Sequence, residues 1–109
     1  MGDMQDTTPI ACTLTAADLI DRRAAWLKVG AYATGVAEIN GGLAYRFRPV
    51  TGVRESLEAL VRLEAECCAW MHFTLVPSNG QLSLSVTAAG DDGERGVRES
   101  FAPLSALVR

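Results

Sequence analysis

Two turn signals govern what this chain can become. "NGG" at 40–42 and "SNG" at 78–80 each sit between runs whose apolar residues recur at every second position. A period of two belongs to a strand, and glycine beside asparagine supplies the positive φ that a tight hairpin needs. In the first pair, "GVAEI" and "LAYRFR", Leu43, Tyr45 and Phe47 alternate with Ala44, Arg46 and Arg48. In the second, "MHFTLV" and "QLSLSVT", Leu82, Leu84 and Val86 alternate with Ser83, Ser85 and Thr87. Each hairpin has one apolar face, and neither is stable until something covers it.

Three helical patterns supply the cover. Thr15, with Asp18 three residues on, makes a capping-box-like start and predicts a helix over 16–29 that stops near Gly30. Pro49 ends the second strand, and Thr51 is expected to cap a second helix over 52–68. Asp91 with Glu94 opens a third that carries Val97, Phe101 and Leu104, with Pro103 kinking or ending it. The order helix, hairpin, helix, hairpin, helix predicts an α+β fold, a four-stranded antiparallel sheet with helices packed on one face. A chain of 109 residues is expected to form a single domain over 10–109, preceded by a disordered tail over 1–9 that Pro9 closes.

Composition narrows the function. With 49% hydrophobic and 21% charged residues the chain falls in the soluble globular class. Its net charge is −3 and its ten basic residues are scattered, with no run longer than Arg22-Arg23, so nucleic acid is not an expected partner. No apolar run approaches the ~20 residues that cross a bilayer, and "MGDMQDTTPI" has neither the basic nor the apolar region of a secretory signal. Three cysteines cannot form a closed set of disulfides. Together these features point to the cytoplasm, where thiols more often react or bind metals than crosslink. The competing reading is that all three are small core residues.

On a wheel of the second helix, Arg54, Glu55, Glu58, Arg62 and Glu66 share one side and Val53, Leu57, Leu60 and Val61 the other. Cys67 and Cys68 flank the apolar side, and Glu64 lies at its centre. An ionised carboxylate there costs several kcal/mol unless it is paired or protonated. The first helix repeats the anomaly: Leu19, Ile20, Trp26 and Leu27 read as its apolar face with Arg23 in their midst, while Arg22 reads as solvated. A Glu64–Arg23 salt bridge is the expected contact. An arginine beside a thiol also favours thiolate, the form that binds metals and attacks electrophiles.

Cys12 precedes the first helix and can approach Cys67 and Cys68 if the first two helices pack side by side. Cys67 and Cys68 are not expected to bond to each other while helical, because adjacent helical positions diverge. A metal shared with Cys12 is the alternative. Three thiolates suit soft ions: Cu(I), Zn(II), Hg(II) or As(III). Trp70, Met71 and Phe73 are expected to wall the site, and His72 to face outward on its strand. The spaced cysteine pairs of a zinc ribbon, a hydrolase triad and a phosphate-cradling loop are all missing from the sequence.

The pattern E-x-x-C-C-x-aromatic-x-x-F, carried by Glu64, Cys67, Cys68, Trp70 and Phe73, resembles a small uncharacterised bacterial family. The upstream Cys12, Leu14, Arg22 and Arg23 belong to the same resemblance, which runs from about Cys12 through the final helix. Some members look like neighbours of metal-resistance genes, which implies metal handling. The family usually has proline and phenylalanine where this chain has Ala69 and Trp70.

The residues support three functions. The first is soft-metal or metalloid binding, transfer or detoxification, with Cys12, Cys67 and Cys68 as ligands, Glu64 as proton donor and Arg23 as its partner. A catalytic version is analogous to organomercurial lyase, which uses two thiols and a carboxylate. The second is a thiol-dependent redox or nucleophilic enzyme acting on a small electrophile. The third is a structural or interaction module with core cysteines. The expected partner is thus a metal ion or a small thiol-reactive molecule, and the two free edges of the sheet allow pairing into a homodimer.

Overall fold

The computed structural model describes residues 16–108. The expected tail, the Thr15 cap and Cys12 lie outside them. The elements in chain order are α1 (Ala16–Gly30), β1 (Ala33–Ile39), β2 (Gly42–Phe47), α2 (Val53–Cys67), β3 (His72–Ser78), β4 (Gln81–Thr87), α3 (Gly90–Ser100) and α4 (Ala102–Val108). The fold is α+β, a four-stranded sheet in the order β1-β2-β4-β3 with every neighbouring pair antiparallel.

Both hairpins form where the asparagine–glycine pairs stand. Ile39 pairs with Gly42 around Asn40-Gly41, and Ser78 pairs with Gln81 around Asn79-Gly80. Asn79 and Gly80 both have positive φ, 51° and 77°, the signature of a turn whose twist matches its strands. The hairpins join through β2 and β4, where Gly42 faces Thr87. A Cβ at Gly42 would stand 1.9 Å from the Val86 carbonyl oxygen, so only glycine permits this approach. Leu43, Tyr45, Phe47, Leu82, Leu84 and Val86, the alternating set, are all buried in one core.

The helices depart from expectation at three points. Thr51 does not cap α2; the cap position is Gly52 at φ 90°, with no side-chain hydrogen bond. On α1 Trp26 and Val29 are buried with Ala25 half-buried beside them, and Ile20, expected in the core, is 66% exposed. The third expected helix is two, since the chain leaves α3 at Phe101 and re-enters a helix at Ala102. Pro103 sits in the first turn of α4, where a missing N–H costs nothing. The buried Tyr45 hydroxyl contacts the Phe101 carbonyl at 3.4 Å and Ser105 Oγ at 2.7 Å, which pins the break to the centre of the sheet. Among the described residues no helix is long and apolar enough to cross a membrane.

Candidate functional site

The apolar stripe of α2 delivers Val53, Leu57, Leu60, Glu64 and Cys67 to the interior. Glu64 is only 8% exposed, and its charge there requires partners. It has two. The Trp26 indole N–H donates to Oε2 at 2.7 Å, and Arg22 Nη1 lies 3.4 Å from the same oxygen. A buried carboxylate held by a cation and a neutral donor keeps most of what it loses in leaving water.

The cation is Arg22, where Arg23 was expected; Arg23 is exposed. Counting from Arg22, the half-buried Ala25 and the buried Trp26 and Val29 recur at i+3, i+4 and i+7, so Arg22 lies on their stripe as Glu64 lies on that of α2. Ile20 and Leu27 draw a wheel reading toward Arg23. What should have counted for more is Trp26, whose indole N–H needs an acceptor when buried, and whose position one turn on selects Arg22.

The two thiols meet because α2 ends between them. Cys67 is its last helical residue, and Cys68 has φ −124° and ψ 70°, outside the helix, while its N–H still donates to the Glu64 carbonyl at 2.7 Å. Leaving the helix removes the divergence expected of adjacent helical positions. The sulfurs converge to 3.5 Å. Each lies 3.8 Å from Glu64 Oε1, and Arg22 Nη1 reaches Cys67 Sγ at 3.7 Å. Burial opposes the Arg22 charge, but the hydrogen bond to Cys67 and the attraction of Glu64 outweigh it, so its pKa is raised above the ordinary value.

Glu64 is therefore divided. Oε2 faces Trp26 and Arg22, and Oε1 faces both thiols. Among the described residues, Glu64, Cys67 and Cys68 form a cluster able to hold a metal ion, one ligand atom from each lying within 4.8 Å of the others. Cys12, the third expected sulfur, lies outside the described residues.

A cleft of about 130 Å³ opens beside the cluster between α1, the end of α2 and the α3–α4 break. Glu64 and Cys68 line it together with the apolar Trp26, Leu27, Met71 and Phe101. Of the walls expected from sequence, Met71 belongs to the cleft. Phe73 stands behind it, 6.4 Å from the Phe101 ring. Trp70 lines a separate cleft with His72 and the start of α3, its buried indole N–H without a partner among the described residues. His72 is exposed, as its strand phase implies.

No family model, curated protein or solved structure matches the chain, so the functional reading rests on the geometry of this site.

Proposed function

We propose that the protein binds a soft metal or metalloid ion through Cys67 and Cys68, with Glu64 as the adjacent carboxylate, and serves metal handling or detoxification in a reducing compartment. The observation that carries this reading is the convergence of two sulfurs on one buried carboxylate oxygen at the end of α2. Sulfur donors select thiophilic ions over hard ones. Arg22, beside Cys67 and Glu64, offsets the negative charge that two thiolates would bring.

Glu64 Oε1 is placed to take a thiol proton as a ligand atom arrives, and Arg22 and Trp26 hold it there through Oε2. With metal–sulfur bonds of about 2.3 Å, two sulfurs 3.5 Å apart subtend about 100° at a shared ion. That favours bent or pyramidal coordination over the linear geometry of a two-coordinate ion.

Native mass spectrometry after exposure to Zn(II), Hg(II) and As(III) tests the proposal. One ion per chain is expected, lost in Cys67→Ser and in Cys68→Ser and retained in His72→Ala. The Cys12→Ser variant separates a three-sulfur site, whose affinity falls at least tenfold, from a site of Cys67 and Cys68 with Glu64, whose affinity is unchanged. A wild-type chain that takes up none of these ions contradicts the proposal.

A further inference from the structure

The cleft beside the thiols says what else the ligand carries. We infer that the preferred ligand is a trivalent organometalloid, an arsenic(III) centre bearing one small apolar substituent, with the two sulfurs on arsenic and the substituent in the cleft. The inference rests on the reading of Cys67 and Cys68 as ligands and adds the occupant of the third position.

Four observations converge on it. The angle set by sulfurs 3.5 Å apart suits a three-coordinate pyramid, which leaves one further bond to fill. Cys68 lines both the sulfur pair and the cleft, so a substituent on the bound atom has a continuous path into the space beyond it. Trp26, Leu27, Met71, Phe101 and Pro103 form the apolar part of its lining and welcome carbon, while Arg22, Arg23, Glu64 and Ser100 supply its polar part. The volume is right for a small aryl group: an engineered apolar cavity of about 150 Å³ binds benzene, and this cleft holds about 130 Å³. An inorganic ion would leave the same walls facing water.

Binding is a ligand exchange without electron transfer. An arsonous acid, R–As(OH)₂, meets the two thiols. Two As–S bonds form and two As–O bonds break, and each departing hydroxyl leaves as water with one thiol proton. Arsenic stays trivalent and the R–As bond is untouched. Glu64 Oε1, 3.8 Å from each sulfur, is the group that relays those protons.

The test compares methylarsonous acid with phenylarsine oxide, which hydrates to the phenyl analogue, by native mass spectrometry competition and tryptophan fluorescence. Dithiothreitol serves as the reference dithiol without a cleft. The wild type is expected to prefer phenyl over methyl by at least about tenfold more than dithiothreitol does, from burial of the additional ring carbons. Leu27→Phe, which fills the cleft from a half-buried position on α1, should remove that excess. Leu27→Ala, which enlarges the cleft, should retain phenyl binding. A phenyl-to-methyl ratio equal to that of dithiothreitol, or an excess that Leu27→Phe leaves intact, overturns the inference while thiol-dependent binding stands. If neither compound binds, the inference fails, and uptake of Zn(II) or Hg(II) by the same chain decides whether the reading beneath it stands.

Discussion

Glu64 gives its two oxygens opposite tasks, and the stability of its surroundings depends on the side that faces away from the thiols. Arg22 and Glu64 are 15% and 11% exposed at the side chain, so their pair is only partly screened by water. Arg22→Met removes the cation from Oε2, leaving it the Trp26 N–H, and should cost about 1–3 kcal/mol in chemical denaturation. Arg23→Met, one residue on and exposed, should stay within about 0.5 kcal/mol. Equal effects would mean that the Arg22 contact has no energetic weight. Glu64→Gln keeps an acceptor for Trp26 and removes the proton relay. It should slow arsenic(III) uptake by about tenfold or more while leaving the final stoichiometry at one per chain, as stopped-flow fluorescence would show. The raised Arg22 pKa means its stabilisation is fully present below its unfolded value and is lost only as pH rises through a still higher folded one. Between about pH 6 and about pH 9 any pH dependence of binding therefore comes from other groups. Glu64 and the cysteine pair were legible in the sequence because a charge on an apolar stripe stands out. The arginine was not, because Arg22 and Arg23 are adjacent and the exposed Ile20 weights the wheel toward the wrong one.

At the scale of elements, the site exists because α2 stops between its two cysteines. Met71 N–H donates to the Cys68 carbonyl at 3.0 Å, closing a turn over Cys68–Met71 with Ala69 exposed at its second position. Ala69 is not among the positive-φ residues. That position of a turn favours proline, and the residue before a proline is driven out of the helical region, as Cys68 already is at φ −124° and ψ 70°. Ala69→Pro should therefore keep the thiol pair intact and raise stability by about 0.4–1 kcal/mol through the unfolded state. Loss of binding in that variant would show that the turn is misread. Gly42→Ala should behave in the opposite way, since its Cβ meets backbone at 1.9 Å and no side chain can yield. A loss of more than about 3 kcal/mol or failure to fold is expected. The strands were readable from alternation alone. The break between α3 and α4 was not, because it depends on the Tyr45 hydroxyl, 56 positions away in sequence from the Phe101 carbonyl it contacts.

For the whole molecule, the cluster lies at a seam where α1, the end of α2 and the α3–α4 break meet, and each contributes one wall of the cleft. A ligand that needs all three walls binds the folded chain and stabilises it by mass action, by about 2.7 kcal/mol at a hundredfold excess over Kd. The vicinal thiols of the unfolded chain also take up some ligand, so a Tm rise of several degrees is expected for phenylarsine oxide. Cys67→Ser should abolish it. The proton balance separates ion classes: a divalent cation that displaces two thiol protons should bind about a hundredfold tighter per pH unit, whereas an arsonous acid releases water and no net proton. The shared core and the antiparallel sheet were foreseeable because burial of alternating faces is a global demand. The seam was not, because it depends on which helix faces turn together.

The most direct test of the central claim is X-ray absorption at the arsenic edge of the protein loaded with phenylarsine oxide. Two sulfur neighbours at about 2.3 Å and one carbon, with both sulfurs lost in Cys67→Ser/Cys68→Ser, is the result expected from two thiols gathered beside Glu64. A shell of oxygen alone, or a single sulfur, would contradict it.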